Sequence, residues 1–127
     1  MPGTKEHKTV IRKILIIEDE GDMCLLLNLL LDGQCIEVNH VQSLSAAREW
    51  LQTEQPSLIL LDNRLPDGFG IDFLSFLKIN YPLIKIIMIS GFDIEAEDAA
   101  LEIGADTFLA KPFTKAQLDE SISKLLN

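Results

Sequence analysis

The sequence predicts an α/β fold, a doubly wound five-stranded parallel sheet with five helices. Three observations predict it. Short apolar runs and stretches with helical spacing take turns along the chain. Three runs, Ile14–Ile17, Leu58–Leu61 and Ile86–Ile89, are apolar at every position, so those strands are buried on both faces, as in a parallel sheet wrapped by helices. The length, 127 residues, suits one domain, and a chain of that size buries roughly two-thirds of its unfolded surface without disulfide staples.

The elements follow in order. Residues 1–12 read as a loose tail, leaving 13–127 as the domain. Lys13–Ile17 is the first strand. Gly21–Leu31 has helical spacing, with Met23, Leu26, Leu27, Leu30 and Leu31 turned to the sheet. Ile36–Val41 alternates apolar and polar residues and is the second strand. Ser43–Gln52 is a helix, with Ser43 or Ser45 as its N-cap and Trp50 packing it onto the sheet. Ser57–Leu61 enters the third strand from Pro56. Phe69–Asn80 is amphipathic, with Phe73, Leu74 and Leu77 on one face, and Pro82 closes it. Phe69, Phe73 and Phe76, at helical spacing, read as core. Gly68 and Gly70 follow Pro66 in a turn and read as sources of backbone freedom. Lys85–Ile89 is the fourth strand. Asp93–Ile103 is a helix ended by Gly104. Thr107–Ala110 is the fifth strand, and Thr114 caps a last helix. No internal repeat, low-complexity block or linker interrupts the series.

Composition narrows the function. Hydrophobic residues make up 47% and charged residues 24%, the balance of a folded globular chain. Apolar runs such as Met23–Leu27 and Ile86–Ile89 fall far short of the ~20 residues of a membrane span. No secretory signal is evident, and Cys24 and Cys35 form no CxxC pair, which points to a reducing cytoplasm. Twenty acids oppose 11 bases, for a net charge of −9. Residues 1–13 carry +3, so residues 14–127 carry −12. Such a surface repels phosphate backbones and disfavours direct nucleic-acid binding. It favours metal cations or protein partners.

Ligands of an open parallel sheet bind beyond the carboxyl ends of its strands. Glu18, Asp19 and Glu20 follow the first apolar run, Asp62 the third, Ser90 and Gly91 the fourth, and Lys111 and Pro112 the fifth. One acid at a strand end is ordinarily a solvated loop residue or a helix cap, and one lysine is ordinarily a surface residue. The combination at four of five strand ends is different. Glu18, Asp19 and Asp62 would crowd three negative charges into one cleft, at a cost unless a cation neutralises them. A hard divalent ion such as Mg²⁺ takes one or two carboxylates plus water and phosphate oxygens. Lys111 adds a fixed positive charge and Ser90 a hydroxyl donor. The set fits phosphoryl transfer, with Asp62 as the nucleophile. There is no GxGxxG or GxxxxGK, hence no support for nucleotide binding. His7 and His40 are isolated, and His40 reads as a surface strand residue. The cysteines read as small hydrophobes.

Four segments carry a family resemblance: Ile14–Glu20 (ILIIEDE), Leu60–Gly68 (LLDNRLPDG), Ile87–Gly91 (IMISG) and Gly104–Phe113 (GADTFLAKPF). Over residues 13–127 the chain resembles a response-regulator receiver domain of two-component signalling. The resemblance implies a flavodoxin-like sheet in the order 2-1-3-4-5. It implies a bacterial, cytoplasmic signalling domain rather than an enzyme, with its own phosphotransfer and autodephosphorylation chemistry. The donor would be a histidine kinase or a histidine phosphotransfer protein. Asp62 resembles the phosphoacceptor. Asp19, Asp62 and the Arg64 carbonyl would ligate Mg²⁺ directly, and Glu18 through a metal-bound water. Lys111 would pair with the phosphoryl group, and Lys111–Pro112 would be cis. Ser90 and Phe108 match the switch pair, whose hydroxyl moves to the phosphate while the ring turns inward.

The departures are small. Ser90 stands for the commoner Thr and Phe108 for the commoner Tyr, so no phenolic hydrogen bond reinforces the inward ring. Arg64 is long and cationic, and is expected to alter access to the acyl phosphate. In relatives the first helix docks the bundle carrying the donor histidine, which makes Leu25 and Leu29, on its outer flank, candidates for partner docking. The acidic helix with Asp93, Glu95, Glu97, Asp98 and Glu102 reads as a solvated face bordering the switch pair. The chain reads as a receiver acting through a downstream effector, or as one cut from an output domain. The rival readings are an aspartate-nucleophile phosphohydrolase, disfavoured by Arg64 where a second Asp belongs, and a degenerate binding-only receiver, disfavoured by the intact Asp62, Ser90 and Lys111.

Overall fold

Successive side chains along a strand point to opposite faces, and here both faces are apolar. The computed structural model describes residues 12–21, 23, 27, 36–91 and 94–126. Its strands in chain order are β1 (Arg12–Ile17), β2 (Ile36–Val41), β3 (Leu58–Asp62), β4 (Arg64–Leu65), β5 (Gly68–Phe69), β6 (Lys85–Ser90) and β7 (Thr107–Ala110). Five of them form one parallel sheet, β2-β1-β3-β6-β7. This is the 2-1-3-4-5 order once β4 and β5 are set aside. Those two pair antiparallel as a short hairpin that the apolar pattern did not announce, because two-residue strands carry no periodicity.

The helices are α1 (Leu44–Leu51), α2 (Gly70–Asn80), α3 (Ile94–Ile103) and α4 (Lys115–Leu126). Gly21, Met23 and Leu27 are helical as well; the rest of the fifth helix expected over 21–31, with Leu25 and Leu29, lies outside the described residues. One face of the sheet presents Leu15, Ile17, Ile59, Leu61, Ile86 and Met88 to α1, α2 and α3. The other presents Ile14, Ile16, Leu58, Leu60, Ile87 and Ile89 to Leu27 and to Leu118 and Ile122 of α4. Trp50 packs against the first face as expected. Burial on two sides leaves polar groups of β1, β3 and β6 only one place, the strand ends.

Local chemistry sets the boundaries. Ser43 Oγ accepts the Ala46 N–H at 3.1 Å and caps α1. Thr114 Oγ1 accepts the Gln117 N–H at 3.1 Å while Gln117 Oε1 accepts the Thr114 N–H at 2.8 Å, a reciprocal capping box at the start of α4. Gly104, at φ +128°, ends α3 in a conformation that favours glycine.

Three expectations need correction. The first strand begins at Arg12 rather than Lys13: Arg12 pairs with Ile36, and its guanidinium donates to the Leu126 carbonyl. Phe69 is not core. It is 50% exposed, because it lies in the hairpin and serves as the N-cap of α2, one residue before the helical face begins. Phe73 and Phe76 do stack, with ring centroids 5.2 Å apart, and the Arg48 guanidinium sits 4.0 Å above the Phe76 ring. Gly68, at φ +149°, uses the backbone freedom expected of it, but Gly70 serves close approach. A Cβ there would stand 2.3 Å from the Asp62 carbonyl oxygen. Gly70→Ala should therefore push α2 off the end of β3 and cost about 1–3 kcal/mol of stability, read as a lower urea midpoint with an unchanged m-value.

Candidate functional site

The parallel register lines up the strand ends. Ile17 stands beside Val41 and Leu61, Asp62 beside Ile89, and Ser90 beside Ala110. β3 therefore ends on Asp62 and β6 on Ser90, 5% and 7% exposed. The Ser90 carbonyl accepts the Lys111 N–H at 2.7 Å, which places the lysine just past β7, and the Lys111–Pro112 bond is cis. At the end of β1 the chain stays tied to the sheet through the Glu18 N–H on the Val41 carbonyl, 3.1 Å. Glu18 is 1% exposed, and its Oε2 accepts the Glu20 N–H at 3.2 Å; Asp19 is exposed.

These ends meet in one cleft. Lys111 Nζ lies 3.2 Å from Asp62 Oδ1, 3.3 Å from Glu18 Oε1 and 3.3 Å from Glu20 Oε1. Carboxylate oxygens of Glu18, Asp19 and Asp62 all fall within 4.8 Å of one another. Asp19, Glu20, Asp62, Arg64, Ser90, Gly91 and Lys111 line a cavity of about 430 Å³. Three converging carboxylates with a single nearby ammonium are a donor set of hard oxygens, which fits a small divalent cation better than a soft one.

Burial and charge crowding shift the carboxyl groups of the cleft. Burial, reinforced by the charge of Asp62, pushes Glu18 up to about 7, against the opposing pull of the Glu20 N–H and Lys111. Burial also raises Asp62, with Lys111 working the other way. Burial alone would lower the Lys111 ammonium, but Asp62 and Glu18 outweigh it and raise it.

Glu18, Asp19, Asp62, Arg64, Ser90 and Lys111 are thus neighbours around one cleft or its wall. Phe108 is half-buried one strand away, packed on the face shared with α1, α2 and α3. Leu25 and Leu29 fall outside the described residues. His40 is no surface bystander. It is half-buried, and its Nε2–H donates a hydrogen bond to the Glu18 carbonyl at 2.9 Å. The signal was in the alternation of β2, which puts His40 on the same face as the packed Ile36 and Val38. Two other contributors take no role from the sequence, although Glu20 stands among the acids after the first apolar run. Glu20 reaches Lys111 only because its loop turns back. Asn63 closes the turn after Asp62, its carbonyl accepting the Gly70 N–H at 2.7 Å and its Oδ1 the Ile71 N–H at 3.0 Å.

Comparison with known proteins gives this geometry its context. Residues 14–123 match the response regulator receiver domain family. This chain is a response regulator receiver domain. It is similar to the response regulator protein PilR of Pseudomonas aeruginosa, at 33% identity over 116 residues, which cover 91% of this chain and 26% of that protein. It is also similar to the KDP operon transcriptional regulatory protein KdpE of Escherichia coli, at 36% identity over 106 residues, 83% of this chain and 47% of that one. The chain thus spans between a quarter and a half of these relatives. A solved CheY-like response regulator receiver domain protein from Methanospirillum hungatei superposes with a TM-score of 0.84 at 27% identity, over 91% of this chain and 93% of that one. Receiver domains are the phosphoacceptor modules of two-component systems and act as signalling domains, between histidine kinases and output effectors. Among the described residues of this receiver domain, no helix is long and apolar enough to cross a membrane.

The raised Glu18 titration fixes a sign. Folded, Glu18 takes its proton near pH 7; unfolded, near 4.5. Folding therefore takes up a proton between those values, and stability without divalent ions should fall as pH rises from about 4.5 to about 7. The raised Asp62 acts in the same sense. Urea titrations in chelator across that range should show the decline, and Glu18→Gln should flatten its upper part.

Proposed function

We propose that Asp62 is the phosphoacceptor of this receiver domain, in a Mg²⁺-dependent reaction with a phosphohistidine on a histidine kinase or phosphotransfer protein. The observation that carries the reading is the convergence of Asp62, Lys111, Asp19 and Ser90 on one cleft. Asp19, Asp62 and the Arg64 carbonyl would hold the ion, with Glu18 one layer further out. Bound there, the ion supplies positive charge to balance the phosphoryl oxygens.

The chain's own residues do the rest. An Asp62 carboxylate oxygen attacks phosphorus; the P–N bond to the donor imidazole breaks, its electron pair stays on nitrogen, and that nitrogen takes a proton. Gly70 packed against the Asp62 carbonyl holds the attacking residue's backbone still. Lys111, 3.2 Å from Asp62 Oδ1, exchanges a carboxylate partner for the phosphoryl oxygens as they arrive. Ser90 donates its hydroxyl to one of them, and Phe108 moves deeper into the face it already touches. That movement shifts a pre-existing equilibrium between two arrangements of the surface. The mature setting is a cytoplasmic signalling chain, with the output supplied by a separate effector or by further sequence of the kind the longer relatives carry.

Incubation with a small phosphodonor and Mg²⁺ should add one phosphoryl group per chain, stable in acid and labile in base, and Asp62→Asn should add none by mass spectrometry. Repeated turnover of phosphate esters would overturn this reading in favour of a hydrolase. Arg64 is exposed on the cleft wall, and there its side chain would shield an acyl phosphate on Asp62 from water. Arg64→Ala should shorten the phosphoryl lifetime severalfold in a decay assay, with acceptor capacity unchanged.

A further inference from the structure

The tip of the β4–β5 hairpin reaches across the molecule to α1. Asp67 is exposed, yet both of its carboxylate oxygens are engaged: Oδ1 accepts the Leu44 N–H and Oδ2 the Ser45 N–H, each at 2.9 Å. The first turn of a helix leaves four N–H groups without helical partners. In α1, the Ser43 hydroxyl accepts the Ala46 N–H, and the Ser43 carbonyl accepts the Ala47 N–H as the first i→i−4 bond of the helix, both at 3.1 Å. Asp67 serves the Leu44 and Ser45 N–H groups from more than twenty residues away. The helix thus has a local cap and a second, distant one. The contact is close: a Cβ on Gly68 would stand 3.1 Å from Leu44 Cδ1. The two backbone donors also hold the Asp67 carboxyl below the usual carboxylate range, so the link stays ionic in character at working pH.

The other end of the hairpin is the cleft. Arg64 opens β4, pairs with Phe69, and lines the cleft beside Asp62 and Lys111. Asn63 closes the root of the segment through Gly70 and Ile71. Leu65 packs beneath its middle. The tip, with Pro66 and Asp67 exposed, is held to the body by the Asp67 bonds.

We propose that Asp67 is a positioning residue for the cleft: its two-oxygen cap on α1 sets the β4–β5 hairpin, and with it Arg64, so that divalent-cation affinity and phosphoryl uptake depend on a carboxylate that touches neither. This rests on the reading of the cleft as the cation- and phosphoryl-binding site. It makes α1 a part of the site's support, although no residue of α1 lines the cleft.

Wild type and two alanine variants, Asp67→Ala and Ser43→Ala, test it, with Asp67→Asn as a graded intermediate. Both variants remove a cap from the same helix, and only the first frees the hairpin. Magnesium binding is followed by calorimetry, phosphoryl uptake by mass spectrometry, and opening of the hairpin by hydrogen exchange at the Leu65 and Phe69 amides. Both variants should lower Tm. Asp67→Ala alone should speed exchange at Leu65 and Phe69, weaken magnesium binding about tenfold, the scale of losing a support behind a metal ligand, and slow phosphoryl uptake. Asp67→Asn, which keeps one acceptor oxygen, should fall between Asp67→Ala and wild type. A magnesium affinity that is unchanged in Asp67→Ala while Tm falls overturns the proposal, as does an equal loss in Ser43→Ala. Exchange at Leu65 and Phe69 that is unmoved by Asp67→Ala overturns it too. Wild type that takes up no magnesium overturns the cleft reading on which the proposal rests, and is told apart from the other outcomes by that fact.

Discussion

The ion pair between Lys111 and Asp62 is the point on which this molecule turns. Four carboxylates, Glu18, Asp19, Glu20 and Asp62, are drawn to one edge of the sheet, and Lys111 is the ammonium set among them, within 3.3 Å of three. Burial first, and then the like charge of Asp62, raises the proton affinity of Glu18. The arrangement therefore stays short of neutral and has a standing preference for added positive charge. In the proposed reading, a cation, and then a phosphoryl group that the cation and Lys111 would both balance, would complete that imbalance.

The sheet explains why the imbalance can be held. Each of β1, β3 and β6 is buried on both faces, so none can shift in register without moving apolar side chains into water. The groups that would react are the last residues of those strands or the first beyond them. They inherit the rigidity of the strands rather than the freedom of loops. Where the chain leaves the sheet, hydrogen bonds take over: His40 and Val41 hold the Glu18 backbone, Asn63 and Gly70 hold the turn after Asp62, and Ser90 holds Lys111. Asp67 extends this bracing to α1.

Much of this was legible before any coordinates. Unbroken apolar runs marked β3 and β6 because a strand covered on both faces has nowhere to put a polar side chain. Ser43, Gly104 and Thr114 marked helix ends because each solves a local hydrogen-bond or dihedral problem. Other features were not legible, for a shared reason. Phe69 shares the spacing of Phe73 and Phe76, but the hairpin breaks the helix before reaching it. Glu20, Asn63 and Asp67 are ordinary loop residues whose roles come from partners brought near by folding. His40 lay between the cases: the alternation of β2 marked its face, and only packing revealed what it held.

By itself the sequence determined the order of elements, the faces they bury and the chemical identity of the strand ends, since periodicity and end groups are local and depend on near neighbours. The tertiary structure alone decided which of those ends share an ammonium, which glycine admits a backbone oxygen, and which aspartate caps a helix more than twenty residues away. Those are matters of distances of a few ångströms between segments remote in the chain, and a linear pattern carries no measure of them.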